Sequence, residues 1–128
     1  MSKKIFIIDD DTSVLDIMEQ VFIYEGFEVL TSPVADNYHN LIRQNNVDLI
    51  IIDYLLRGVN GGEICRQIKL SPEFGHLPVI IYSAYSGPFM SLESYGCDAF
   101  IPKPFDLTDF LEQVSKLLHY SPMGILAD

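Results

Sequence analysis

The stretch that decides the fold is Ile5-Phe6-Ile7-Ile8-Asp9-Asp10, in which four apolar residues precede two aspartates. A second stretch, Leu49-Ile50-Ile51-Ile52-Asp53, repeats the arrangement with one acid at its end. Short, uniformly apolar runs are typical of strands that are buried on both faces. If the two strands are parallel neighbours, their carboxylates converge on one crevice. Such close like charges indicate a site shared by a divalent cation and a transferable anion.

Length and composition predict one folded domain. The chain has 128 residues, of which 48% are hydrophobic, enough for a sizeable core. We expect the domain to span residues 1–120 and residues 121–128 to form a short tail or the start of a linker. The formal net charge of −10 argues against generic binding to nucleic acid or to an anionic membrane, since both favour clusters of Lys and Arg.

The two cysteines and the N-terminus indicate a cytoplasmic protein. Cys65 and Cys97 have no metal-like spacing, and we expect buried thiols rather than a disulfide. Only four apolar residues separate Lys4 from the aspartates, which is too short for a signal-peptide core or a membrane span.

Strand and helix patterns alternate along the chain, which predicts an α/β fold. Apolar residues recur at helical spacing before Gly26, which predicts the first helix, and Asp11 can cap it. Asn60 and Asp106 are candidate N-caps of two later helices. The sequence pattern for a helix between Ser83 and Gly96 is the least regular, because Gly87-Pro88 interrupts its start. The expected strands are 4–8, 27–31, 47–52, 77–82 and 99–101. The other expected helices are one that carries Val14 to Phe22 and ends at Gly26, one from Pro33 to about Gln44, one capped by Asn60 that runs to about Leu70, and one capped by Asp106 that carries Phe110 to Leu118.

This alternation predicts a flavodoxin-like, doubly wound, five-stranded parallel sheet with strand order 2-1-3-4-5 and helices on both faces. In that order the first and third strands are neighbours, and ligands bind at their carboxyl ends. The same edge receives Ser83 after the fourth strand and Lys103 after the fifth. A hydroxyl and an ammonium group would therefore face the three carboxylates.

The chain resembles the receiver domain of response regulators in two-component signalling over nearly its whole length. The order, strand-end placement and separations of the matching pieces carry the resemblance. These pieces are Ile7-Ile8-Asp9-Asp10, the run from Asp53 to Gly61, Ser83-Ala84, and the run from Gly96 to Phe105.

The resemblance implies that Asp53 takes a phosphoryl group from a sensor histidine kinase or a phosphotransfer protein. It implies Mg²⁺ as cofactor, with Mn²⁺ as an acceptable substitute. Asp10 and Asp53 would be direct ligands, Asp9 would lie in or just behind their shell, and the carbonyl of Leu55 would complete the protein ligands.

It also implies a switch, with no metabolic turnover. Lys103 would neutralise charge on the phosphoryl group and would precede a cis peptide bond to Pro104. Ser83 would donate a hydrogen bond to a phosphoryl oxygen, and Phe100 would occupy the vacated space. The downstream partner would be an output protein or domain, and the receiver itself a monomer or weak homodimer.

Two departures from the family pattern bear on these expectations. Arg57 stands where proline is usual, and the segment between Ser83 and Gly96 is about two residues shorter than is typical. The bulky Leu55 and Tyr85 lie two positions after Asp53 and Ser83, and we expect them to hinder attacking water and slow dephosphorylation.

Other functions remain open at this point. Asp9-Asp10-Asp11-Thr12-Ser13-Val14 nearly matches the start of haloacid-dehalogenase-type phosphatases, in which Asp9 would be the nucleophile. A receiver-like module that is never phosphorylated could act as a docking surface. A flavin site has less support, because no Ser/Thr/Gly-rich loop follows the first strand.

Overall fold

The structure, a computed structural model, describes residues 2–84 and 95–119. In those residues a central sheet alternates with helices along the chain. The elements are β1 (Lys4–Ile8), α1 (Thr12–Tyr24), β2 (Glu28–Ser32), α2 (Tyr38–Asn45), β3 (Leu49–Asp53), β4 (Leu55–Leu56), β5 (Val59–Asn60), α3 (Gly61–Leu70), β6 (Val79–Ser83), β7 (Ala99–Pro102) and α4 (Leu107–Leu118).

The central sheet is parallel and has five strands in the order β2-β1-β3-β6-β7. This is the predicted 2-1-3-4-5 order, since β6 and β7 are its fourth and fifth strands. The register pairs Ile8 with Ile52 and Asp53 with Tyr82. The fold prediction is therefore confirmed, and the ends of β1, β3 and β6 lie side by side.

Helices cover both faces of the sheet, and each face has its own apolar core. On one face, Phe6 and Ile50 pack with residues of α2 and α3. On the other face, Ile7 and Ile51 pack with residues of α1 and α4. Alternate residues of β1 and β3 point to opposite faces of the sheet. Because both faces are covered, the part of each strand inside the core must be apolar at every position.

Three polar side chains cap the helices as the sequence predicts. Asp11 accepts from the backbone N–H of Ser13 at 3.0 Å, and Asn60 accepts from that of Gly62 at 2.7 Å. Asp106 caps α4 in the same way. Each cap satisfies N–H groups that have no partner within the helix.

Some boundaries differ from the prediction. Helix α2 begins at Tyr38 rather than at Pro33, because Asn37 adopts a left-handed conformation with φ of 67° directly before it. The loop after Asp53 contains the antiparallel hairpin β4-β5, where only a turn was expected. The expected helix between Ser83 and Gly96, Tyr85 and the proposed tail 121–128 lie outside the described residues.

Both cysteines are free thiols, as predicted. Cys65 is fully buried, and Cys97 is half-buried rather than buried. Desolvation is the largest cause that raises the pKa of the Cys65 thiol to about 12. Among the described residues, no helix combines the length and apolar character needed to cross a bilayer.

Candidate functional site

The three predicted carboxylates meet at the carboxyl edge of the sheet. Asp9 and Asp10 follow β1, and Asp53 is the last residue of β3. One carboxylate oxygen from each lies within 4.8 Å of the others. Asp9 and Asp53 are buried and Asp10 is partly exposed. The predicted convergence is confirmed, and it forms an oxygen-rich cluster of the kind that binds hard divalent cations.

Lys103 brings a positive charge to this cluster. Its Nζ lies 3.5 Å from Oδ2 of Asp53 and 3.8 Å from Oδ2 of Asp9. The backbone N–H of Lys103 donates to the carbonyl of Ser83 at 2.8 Å, which ties the ends of β7 and β6 together. The peptide bond from Lys103 to Pro104 is cis, as predicted.

Ser83 and Phe100 lie near this edge but in different surroundings. Ser83 ends β6 and is buried, beside the strand that carries Asp53. Phe100 pairs with Ile81 in the sheet and packs, half-buried, against the apolar core under α2 and α3. The structure thus brings Ser83 to the edge of the acid cluster and leaves Phe100 on the face beside it.

Leu55 contributes its backbone to the site. Its N–H donates to Oδ1 of Asp53 at 3.3 Å, while the residue as a whole is 55% exposed. The two oxygens of Asp53 therefore differ, since Oδ1 faces a backbone donor and Oδ2 faces Lys103.

The environment of Asp53 opposes ionisation. Burial is the largest cause that raises the pKa of its carboxyl from 3.8 to about 6, followed by the charge of Asp9. Lys103 and the N–H of Leu55 act in the opposite direction. A cation bound among the carboxylates would relieve this strain, so the donor set fits a divalent metal ion.

Tyr82 belongs to the site, and the sequence analysis missed it. Its hydroxyl donates a hydrogen bond to Oδ2 of Asp9, and its ring lies 4.6 Å from Nζ of Lys103. Burial and the charge of Asp9 raise the pKa of Tyr82 well above its usual range, so the hydroxyl remains a donor at neutral pH. A tyrosine within an apolar strand usually indicates a core residue, and only the register shows how far it reaches.

Arg57 reaches the same cluster from the β4-β5 hairpin. Its Nε lies 3.8 Å from Oδ2 of Asp10, while its side chain is 90% exposed. Arg57 thus adds a solvent-screened positive charge at the rim.

Comparison with known proteins agrees with this arrangement. The sequence matches the response regulator receiver domain family over residues 5–115. The chain belongs to this family.

Among curated relatives, this receiver domain is similar to two bacterial regulators. It is 28% identical over 129 residues to the phosphate regulon transcriptional regulatory protein PhoB of Rhizobium meliloti, covering 99% of this chain and 57% of that protein. It is 31% identical over 127 residues to the response regulator ArlR of Staphylococcus saprophyticus, covering 98% and 56%. The chain spans little more than half the length of these relatives.

Solved structures of receiver domains share the fold. A CheY-like receiver domain protein of Methanospirillum hungatei superposes with a TM-score of 0.81 at 29% identity, covering 93% of this chain and 95% of that one. The regulator TrrA of Thermotoga maritima, solved in complex with Mg(2+)-BeF, gives a TM-score of 0.80 at 27% identity, covering 91% and 99%.

The family assignment decides against the haloacid-dehalogenase interpretation. The geometry agrees, because both oxygens of the Asp9 carboxylate already accept hydrogen bonds from the protein. Its Oδ1 accepts from the N–H of Asp11 at 2.8 Å, and its Oδ2 accepts from Tyr82.

Proposed function

We propose that this receiver domain accepts a phosphoryl group on Asp53 from a phosphohistidine of a sensor histidine kinase or phosphotransfer protein. One observation carries the proposal. The side chain of Asp53 is only 9% exposed, and its carboxylate lies 3.5 Å from Nζ of Lys103 and beside the carboxylates of Asp9 and Asp10. One incoming phosphoryl group would thus meet the nucleophilic carboxylate, the ammonium group of Lys103 and the carboxylates that would bind the metal ion.

In the transfer step, an oxygen of Asp53 forms the new P–O bond as the P–N bond of the phosphohistidine breaks. The imidazole leaves with the electron pair of that bond and is protonated. Charge builds up on the equatorial oxygens of the phosphoryl group, and Lys103 would neutralise part of it. With a pKa of about 6, Asp53 is mostly ionised at neutral pH and able to attack.

We propose Mg²⁺ as the cofactor, with Mn²⁺ as a substitute. Asp10 and Asp53 would be direct ligands, Asp9 would lie in or behind their shell, and the Leu55 carbonyl would join them by family analogy. The ion would supply positive charge to the oxygens of the transferring group. The complex of the Thermotoga maritima relative with Mg(2+)-BeF supports this choice.

The proposed switch couples Ser83 to Phe100. The Ser83 hydroxyl would donate to a phosphoryl oxygen and draw its loop inwards, and Phe100 would move into the space released. The half-buried position of Phe100 at the edge of the core supports a side chain that can repack. An output protein or domain would recognise the changed surface.

We also propose the wider setting. The domain would span residues 1–120, with 121–128 as tail or linker, because α4 ends at Leu118. It would act in the cytoplasm as a monomer or weak homodimer, without direct contact to nucleic acid or membrane. It would catalyse only its own phosphorylation and slow dephosphorylation, and would not turn over a metabolic substrate.

The test is incubation with Mg²⁺ and acetyl phosphate, followed by intact mass measurement. We expect a mass increase of one phosphoryl group in the parent, none in Asp53→Asn, and none when EDTA replaces the metal. Asp16→Asn, which changes an exposed aspartate on α1, is the matched control and should be modified like the parent.

Two outcomes would contradict the proposal. An adduct that persists in Asp53→Asn would place the phosphate elsewhere. No adduct in the parent, with either acetyl phosphate or a phosphohistidine donor, would favour the unphosphorylated docking module.

A further inference from the structure

The phenol of Tyr82 is a structural support of the acid cluster that the proposed function does not use. Tyr82 is fully buried in β6, and its ring packs edge-on against Phe105 and Phe110 at centroid distances of 5.9 and 5.5 Å. Nζ of Lys103 lies against the same ring. These contacts fix the ring, and the ring fixes where its hydroxyl points.

The hydroxyl limits what Asp9 can do. Each carboxylate oxygen has two lone pairs, and one on Oδ1 is used by the N–H of Asp11. The Tyr82 hydroxyl uses one on Oδ2, and Lys103 lies 3.8 Å from the same oxygen. Asp9 therefore has acceptor capacity left for a water molecule, but turning an oxygen fully towards a cation would cost it a buried hydrogen bond.

Divalent cations differ in how they respond to this limit. Mg²⁺ gives up its water reluctantly and is usually held by one or two carboxylates. Ca²⁺ is larger and gathers six to eight oxygen ligands, so it gains more from each additional carboxylate. A hydrogen-bond donor that keeps the Asp9 carboxylate away from the cation therefore lowers the affinity for Ca²⁺ more than the affinity for Mg²⁺.

We propose that Tyr82 is a positioning residue that sets the cation selectivity of the site. By holding Oδ2 of Asp9, its hydroxyl makes direct coordination of the cation by this carboxylate less favourable, and it thereby favours Mg²⁺ over Ca²⁺. The inference rests on the metal site proposed above, and it adds a residue that acts through Asp9 without touching the ion.

The experiment measures dissociation constants for Mg²⁺ and Ca²⁺ by calorimetry, in the parent and in Tyr82→Phe. Phenylalanine keeps the ring beside Lys103 and removes only the hydroxyl. We expect the ratio of Ca²⁺ to Mg²⁺ affinity to rise by about tenfold or more, the scale expected for a hydrogen bond to a charged group. Tyr38→Phe is the matched control, because it removes another tyrosine hydroxyl, bonded to Gln67, from the opposite face of the sheet.

If the hydroxyl had a purely structural role, Tyr82→Phe would change the dissociation constants for Mg²⁺ and Ca²⁺ by the same factor. That result would overturn the inference. A parent that binds neither cation would instead refute the metal site itself, so the two failures can be told apart. The inference would also fail if the ratio changed equally in Tyr38→Phe.

A second variant keeps the inference testable if Tyr82→Phe does not fold. Asp9→Glu lengthens the side chain by one methylene, which lets the carboxylate move past the tyrosine hydroxyl towards the cation. We expect the same shift of the ratio towards Ca²⁺, and a shift towards Mg²⁺ would contradict the inference.

Discussion

At the scale of single residues, the ionised carboxylate of Asp53 destabilises the folded protein. Burial and the charge of Asp9 raise its pKa to about 6, so the folded state binds a proton at Asp53 more readily than the unfolded chain does. Between about pH 4 and pH 6 this group makes the free energy of unfolding fall as pH rises. Above that window the full cost of the buried charge is present.

Asp53→Asn should therefore stabilise the metal-free protein at neutral pH. In EDTA at pH 7.5 we expect a free energy of unfolding higher than that of the parent by about 1–3 kcal/mol, and a difference that shrinks towards zero near pH 4. Thermal or denaturant unfolding across this pH range measures it. Asp16→Asn is the control and should show no such pH dependence, and a less stable Asp53→Asn at pH 7.5 would contradict the prediction.

Arg57 should compete weakly with the metal ion. Its guanidinium lies 3.8 Å from Asp10 and is almost fully exposed, so its contribution is screened by solvent and salt. In Arg57→Ala we expect Mg²⁺ to bind up to about threefold more tightly at low salt, with the difference lost at high salt.

Calorimetry at two ionic strengths checks the Arg57 prediction. Arg66→Ala removes the same charge from α3, where the arginine lies near Glu63, and serves as the control. Equal effects of the two substitutions would show that only net charge matters.

At the scale of elements, the start of α3 and the end of β3 approach each other closely at Gly61. A Cβ atom there would lie 2.1 Å from the carbonyl oxygen of Asp53 and 2.9 Å from Cγ2 of Ile52. The backbone N–H of Gly61 also donates to the carbonyl of Tyr54 at 2.8 Å. Glycine at this position lets the helix pack against the strand end that carries the proposed phosphoacceptor.

Gly61→Ala should displace that strand end. We expect a loss of at least about 2 kcal/mol in the free energy of unfolding and weaker Mg²⁺ binding, because backbone atoms must move. Gly58→Ala is the matched control. Gly58 has φ of +72° but open space around it, so its substitution should cost about 1 kcal/mol and leave metal binding unchanged. Denaturant unfolding and calorimetry compare the two, and equal losses would contradict the argument.

The elements that the sequence predicted well are those whose pattern admits one interpretation. Strands β3 and β6 are buried throughout and apolar until their polar last residues, and the acids at the ends of β1 and β3 mark the edge where ligands bind. The start of α2 was wrong because an asparagine in a left-handed conformation is a local choice that hydrophobic spacing does not record. Tyr82 was missed because its function depends on reaching across β3 to Asp9, and strand register is a tertiary property.

At the scale of the whole molecule, the sheet joins two cores into one unit. Ile50 belongs to the core under α2 and α3, and Ile51 belongs to the core under α1 and α4. Both residues lie in the same strand, which ends at Asp53. Neither core can open without disturbing the strand that carries the site.

Ile50→Val and Ile51→Val should therefore behave alike. We expect each to lower the free energy of unfolding by about 0.5–1.5 kcal/mol, with one cooperative transition and an unchanged denaturant slope. Circular dichroism and tyrosine fluorescence should follow the same curve. Separate transitions by the two probes would mean that the cores unfold independently.

The buried thiol of Cys65 gives the molecule a built-in reporter of its own breathing motions. A thiol whose pKa lies near 12 inside the core reacts with an alkylating reagent only while the surrounding structure is open. Its labelling rate in Cys97→Ser would therefore measure how often α3 lifts from the sheet. Comparing that rate with and without a bound cation would reveal whether cation binding at the carboxyl edge of the sheet makes the opening of α3 less frequent.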